Sequence, residues 1–226
     1  MKRFYEAATA SEGEILLDGR PVVTPARNRL ALPTEALAVA VAAEWNAQSG
    51  DVLPRTMPLT GLANAAIDRV APDRDSFAAG LAAYGESDLL CYRAEGPASL
   101  VERQSLEWDP ILAWARRRYD VDFEIVSGIM HRRQPPHTVA RLGHAVATLG
   151  AFELAALAPL VTIAGSLVIA LALFEDGIGF DRAWAAATLD EAWQAERWGE
   201  DSEAAARIEA RRVEFEAAWR FLRLLR

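Results

Sequence analysis

Between Leu154 and Phe174 the chain runs for 21 residues without a charged side chain. A run of that length passes the roughly 18 residues at which a membrane span becomes a candidate. The alternative is a helix covered on every side in the core of a sizeable domain. The details of the run favour the core. Pro159 and Gly165 interrupt it, alanine is frequent, Glu153 and Glu175 close its two ends, and no basic cluster or aromatic belt flanks it. The sequence therefore predicts a buried core helix, broken or entered at Pro159. A membrane-associated helical protein using residues 154–174 is the competing expectation.

Burying such a run needs other elements around it, and 226 residues suffice for one large domain or two small ones. The first third reads as β-rich. Glu14-Ile-Leu-Leu and Pro21-Val-Val-Thr flank Asp18-Gly19, a strong hairpin signal. Arg29-Leu-Ala-Leu suggests another short strand ending before Pro33, and Thr34 is placed to cap a helix with Leu37, Val41 and Trp45 along one face. From Leu59 onward the spacing is mainly helical. Residues 119–129 alternate apolar and polar, as a short strand would, and breaks fall near Pro159, Asp176-Gly177 and Gly199. The expected fold class is α+β: a small β-containing N-terminal domain with one helix, residues 1–70, followed by a larger mainly α-helical C-terminal domain, residues 71–226.

Composition excludes several functions. The formal net charge of −8 lacks the basic footprint of a nucleic-acid binder. Lys2 is the only lysine, so a Gly-Lys-Ser/Thr phosphate loop is absent and a Schiff-base mechanism is nearly so. One cysteine, Cys91, rules out an internal disulfide and multi-cysteine metal sites, and points to a reducing compartment. The start of the chain has no apolar core after Lys2-Arg3, so neither a secretory signal nor a mitochondrial presequence is expected. His131, His137 and His144 fit no common zinc spacing and read as surface residues. Cys91 and Ser166 are the candidate nucleophiles of a small hydrolase. Neither carries the flanking pattern of a nucleophile elbow, and Ser166 reads as a small-residue helix contact. The carboxylate pairs Asp73/Asp75, Asp120/Asp122, Asp190/Glu191 and Glu200/Asp201 read as solvated charged faces. No catalytic, cofactor or metal residue emerges.

Two features of the last third stand out. Six acidic residues fall between Asp190 and Glu203, opposed in that window only by Arg197. Of seven tryptophans, all in predicted helices, Trp193 and Trp198 sit among polar residues there, so one of them should reach the surface.

Short blocks in a fixed order give the chain a family resemblance. They are Leu17-Asp-Gly-Arg-Pro with Thr24-Pro25; Leu32-Pro33; Ala42-Ala-Glu-Trp45 with Gln48; Met57-Pro-Leu-Thr; and Ala63-Asn-Ala-Ala-Ile-Asp-Arg69. Further on come Asp88-Leu-Leu-Cys-Tyr-Arg93; Gln104 with Trp108-Asp-Pro110; Gly165-Ser-Leu; and Leu189-Asp-Glu with Gln194 and Trp198-Gly199. Together these resemble the assembly chaperones of the F₁-ATPase alpha subunit, over roughly residues 3 to 204, with a poor match at 115–150. The resemblance implies a protein that is not an enzyme. It implies binding of the free alpha subunit at the surface later met by beta, and promotion of F₁ assembly for ATP synthase.

The implied partner-binding residues are Glu191, the match to an acidic residue important in the family, with Asp190, Gln194, Trp198 and Glu203 around it. The acidic stretch would face arginines on the client. A departure is Val23, where many relatives carry a basic residue before Thr24-Pro25. No cofactor is expected, and no nucleic-acid partner or stable membrane insertion. The free chain is expected to be a monomer in a bacterial cytoplasm, or in a mitochondrial matrix after loss of a presequence.

Overall fold

A computed structural model describes residues 2–199 and 201–226; Glu200, one of the paired acids noted above, lies outside the described residues. The chain forms two compact units. The first runs to Arg74 and also takes Gly150–Ala156 and Ala217–Arg226; the second holds Asp75–Leu149 and Leu157–Glu216. The architecture is a small β region followed by a mainly helical region, the α+β class that the sequence predicts.

In the first unit β1 (Ala8–Ser11), β2 (Glu14–Leu17) and β3 (Arg20–Pro21) form an antiparallel sheet in chain order. Asp18-Gly19 joins β2 to β3 with φ of 47° and 79°, the doubly left-handed turn that suits a twisted hairpin. Glu12-Gly13 joins β1 to β2 in the same way, with φ of 52° and 78°. The sequence reading had only the first of these turns. The Asp18 carboxylate accepts from the Ala7 and Glu6 N–H groups, which hold its pKa below the ordinary range. The predicted strand at Arg29–Leu32 is reduced to isolated bridges, Glu14 to Ala31 and Val23 to Arg29.

Gly13 is required twice over. Its φ is left-handed, and a Cβ there would lie 2.6 Å from the Leu32 carbonyl oxygen, a backbone atom that cannot swing away. Gly13→Ala should therefore lose about 2 kcal/mol, combining backbone strain with the clash. In thermal unfolding that is a fall of roughly 4–8 °C for a chain of this size; an unchanged midpoint would refute it.

Helix α1 (Glu35–Asn46) packs on β1 and β2 with Leu37, Ala38 and Val41 fully buried. The Thr34 hydroxyl accepts from the Leu37 N–H at 3.2 Å, the predicted cap, and donates to the Leu224 carbonyl. Phe221 stacks on Phe152, ring centres 6.4 Å apart, within the same unit. From α1, the Glu44 carboxylate accepts from the N–H groups of Leu59 and Thr60, each at 2.8 Å, in the first turn of α2 (Pro58–Ala65). A carboxylate there complements the positive end of the helix.

The second unit is built from α3 (Arg74–Ala82), α4 (Ala98–Tyr119), α5 (Pro136–Ala147), the later turns of α6 (Ala151–Ala164), α7 (Leu167–Phe174), α8 (Phe180–Ala187), α9 (Leu189–Trp198) and α10 (Ser202–Leu224) as far as Glu216. A short parallel pair, β4 (Tyr92–Arg93) with β5 (Val126–Ser127), completes it. The alternation at 119–129 thus gives only two paired strand residues. Glu124 is paired instead by the Gln134 side chain, which accepts from its N–H at 3.0 Å and donates to its carbonyl at 2.9 Å.

The uncharged run is two helices. Pro159 lies inside α6, and the chain breaks at Gly165, φ +62°, correcting the expected break at Pro159. A proline denies one carbonyl its N–H, but Leu157, Leu160 and Val161 are fully buried around it, and that packing carries the helix through. At Gly165 the left-handed backbone ends α6, and Ser166 caps α7 by accepting from the Ile169 N–H at 3.0 Å. Leu167 to Leu173 are all buried, against α4 and α8 among others. Among the described residues no helix is long and apolar enough to cross a membrane.

Asp88 organises this break. It is fully buried and accepts from the Ser166 hydroxyl at 2.7 Å, the Val168 N–H at 2.9 Å and the Leu90 N–H at 3.1 Å. The Leu89 N–H donates to the Gly165 carbonyl at 2.9 Å, so the 3-10 turn Leu89–Cys91 and the α6–α7 break hold each other.

Candidate functional site

The hydrolase expectation meets the wrong environments. Ser166 is fully buried and its hydroxyl is engaged as a helix cap and in its bond to Asp88. Cys91 is fully buried, and desolvation pushes its thiol up to about 12, so the nucleophilic thiolate is suppressed. His131, His137 and His144 are exposed, and no group of three metal-ligating side chains gathers among the described residues.

The acidic segment forms α9, whose side chains are set by two neighbours, α4 and α10. Toward α4, the Gln104 amide donates to the Asp190 carboxylate at 2.8 Å, and Arg103 pairs with Glu196 at 2.7 Å. The Arg103 hydrogen bond holds the Glu196 carboxyl below its usual range. Toward α10, Glu191 pairs with Arg211 at 3.0 Å. The same guanidinium donates to the Ile163 carbonyl in the last turn of α6 at 2.9 Å. Glu203 lies one turn from Arg207 on α10, at 3.7 Å. The acidic stretch is thus not opposed by Arg197 alone: Arg103, Arg207 and Arg211 come to it from other parts of the chain. The four-residue spacing of Glu203, Arg207 and Arg211 puts those three on one face of α10, but no local pattern pairs Arg103 with Glu196 or Arg211 with Glu191.

Glu191, Gln194 and Trp198 line one side of a cleft of about 440 Å³, with Arg207, Ile208 and Arg211 of α10 among its other walls. A neighbouring cleft of about 380 Å³ shares Glu191, Gln194 and Arg211 and adds Asp190. Of the sequence-predicted residues, Glu203 lines neither cleft. Trp193 is buried, with the Arg197 guanidinium 5.2 Å from its ring centre. Trp198 is 75% exposed and meets Trp193 edge-on at 5.7 Å. The expectation that one of the two tryptophans surfaces is met by Trp198.

An exposed indole beside a cleft of ion-paired side chains, with the reactive groups buried elsewhere, is suited to recognition rather than to turnover. The class that this fold and site define is a binding protein. A sequence profile described as ATP12 chaperone protein matches residues 2–116. The crystal structure of Atp12 from Paracoccus denitrificans is 42% identical, with a TM-score of 0.94 over 100% of this chain and 98% of that one. The values are the same for an Asp-to-Lys mutant of that protein. A crystal structure from Agrobacterium tumefaciens is 41% identical, with a TM-score of 0.96, covering 100% of this chain and 86% of that one. The mitochondrial protein atp12 of Schizosaccharomyces pombe is 26% identical over 214 residues, 88% of this chain and 74% of the relative. The chain belongs to the ATP12 chaperone family. It is a chaperone and not an enzyme, as the sequence reading expects.

Proposed function

We propose that this chaperone serves assembly of the F₁ sector of ATP synthase by holding the free alpha subunit, and that α9 and the facing side of α10 form part of the contact. The observation that carries the reading is Trp198. A tryptophan left 75% exposed at the rim of a cleft offers a large apolar anchor with few rotamers to freeze. Glu191 and Gln194 set polar groups beside it in the same cleft, Asp190 lines the neighbouring cleft, and Glu203 extends the charged rim along α10. Since beta must later displace the chaperone, the interface is of standard size or smaller. The free chaperone acts as a monomer where F₁ is assembled, the cytoplasm in a bacterium.

The test is light scattering of isolated F₁ alpha subunit on dilution from denaturant. Wild-type protein at stoichiometric amounts should suppress the scattering. Trp198→Ala removes a side chain that holds little of the fold, so its melting curve should be unchanged. Its hold on alpha should weaken by about 2 kcal/mol, roughly thirtyfold. If wild type neither suppresses scattering nor binds alpha, the reading fails.

A further inference from the structure

The second unit carries another exposed apolar feature, far along the sequence from α9. Ile129 is 95% exposed and Met130 is 79% exposed, at the tip of the loop that leaves β5. Single exposed apolar side chains need no explanation, but two adjacent ones on a firmly held loop do.

The base of the loop is clamped on both sides. Beyond the β4–β5 pairing, the Gly128 N–H donates to the Arg93 carbonyl at 2.8 Å. Arg93 is itself buried, donating to the Leu90 carbonyl at 3.2 Å and paired with Asp109 at 2.7 Å. On the returning side Gln134, also buried, makes its two bonds to the Glu124 backbone. One turn further, the Thr138 hydroxyl donates to the Asp122 carbonyl at 2.6 Å. Tyr92 and the His131 Nδ1 share a hydrogen bond of 2.9 Å. Buried polar groups thus fix a tip whose own side chains touch little of the chain. A pre-set tip loses less conformational entropy on binding than a loose one.

The charge beside the tip points to what meets it. Arg132 and Arg133 follow directly, are exposed, and have no ion-pair partner among the described residues. They border a cleft of about 740 Å³ whose walls include Pro135, Pro136 and Val139. Glu86 and Glu124 also line that cleft without pairing to the arginines. The two arginines follow the apolar tip directly in the chain, and among the described residues no ion pair neutralises them.

The geometry points to this loop as a second client contact, in which Ile129 and Met130 enter an apolar socket on the client protein and Arg132 and Arg133 meet carboxylates on its rim. This rests on the reading that the client is the F₁ alpha subunit. A lipid surface would also accept apolar side chains and arginines. The net charge of −8 opposes approach to an anionic bilayer, and the rigid clamp favours a shaped protein socket.

The test measures affinity for isolated F₁ alpha subunit by fluorescence anisotropy, for wild type and two double variants. These are Ile129→Ser with Met130→Ser, and Arg132→Glu with Arg133→Glu. Both pairs are exposed, so circular dichroism and melting curves should match wild type. Each double variant should bind at least tenfold more weakly, and the arginine variant should also lose part of the salt dependence of binding. Arg132→Lys with Arg133→Lys should keep most of it. If both double variants bind like wild type while Trp198→Ala binds weakly, the loop is not a contact and the function proposed above stands. If wild type does not bind alpha, both readings fall. Ile129-dependent co-sedimentation with phosphatidylcholine–phosphatidylglycerol vesicles, with alpha binding unchanged in the variants, would overturn the protein socket in favour of a membrane.

Discussion

Replacing Asp88 with alanine is expected to lower the unfolding free energy at pH 7 by about 4 kcal/mol, the largest single-residue effect on folding predicted for this chain. Three donors lose their acceptor at once: the Ser166 hydroxyl and the backbone N–H groups of Leu90 and Val168. Each orphaned buried donor costs about 1–3 kcal/mol. Against that stands relief from burying a charge. Desolvation outweighs the hydrogen bonds and pushes the Asp88 carboxyl up to about 6. Raising the carboxyl from its ordinary range to about 6 corresponds to about 3 kcal/mol. The donors win because three of them depend on one group. A domain of ordinary stability has 5–15 kcal/mol to lose, so the variant should fold but melt roughly 8–16 °C lower.

The same residue sets a pH dependence whose sign is unusual for a carboxylate. Its folded pKa lies above its ordinary value, so between pH 3.8 and about 6 the folded state binds more protons than the unfolded one. Asp88's contribution to stability therefore falls as pH rises through that window. Chemical denaturation between pH 4 and 6.5 should show this slope in wild type and not in Asp88→Ala. A wild-type protein whose Asp88-dependent stability instead rises across the window would show that the hydrogen bonds, not desolvation, dominate.

The contrast between what was legible and what was not follows the range of the interactions. Asp18-Gly19 and the Thr34 cap were readable because a turn or a cap is decided by three or four neighbouring residues. The position of Trp198 was half readable: the polar setting of α9 showed that one indole would surface. Asp88 was visible only as part of a motif block, since its main partner lies 78 residues away at Ser166. The same holds for Thr24, which donates to Asp68 at 2.6 Å across 44 residues, and for Gln104, which reaches Asp190 across 86.

Many residues that carry the family resemblance prove to hold the fold. Glu44 caps α2, and Gln48 donates to the Glu44 carbonyl and accepts from the Leu53 N–H. The return of Gly150–Ala156 and Ala217–Arg226 to the first unit had no local signal either, because it depends on Phe152 meeting Phe221 and Thr34 meeting Leu224. At α9 the carboxylates were legible and their cations were not. Arg211 faces Glu191 through the packing of α10, in which Phe215 lies 5.6 Å from Trp184 and 5.9 Å from Phe180.

That pairing makes Glu191 the most consequential position on the proposed client surface. Its carboxylate holds Arg211, and Arg211 holds the Ile163 carbonyl, so one side chain fixes the wall shared by both clefts. Glu191→Lys sets two cations against each other there. Both native side chains are partly exposed, so the loss of folding stability should stay near 1 kcal/mol. The hold on alpha should weaken by about 3 kcal/mol, roughly a hundredfold, since the variant removes a charge and reshapes the cleft together. Glu191→Gln keeps the shape and should lose only about tenfold. Combining Glu191→Lys with Arg211→Glu then separates the two causes in a double-mutant cycle. If the swap restores binding, Glu191 acts by shaping the cleft through Arg211. If binding stays weak while the fold recovers, the Glu191 carboxylate meets the client directly. Unchanged affinity in Glu191→Lys itself would remove Glu191 from the contact altogether.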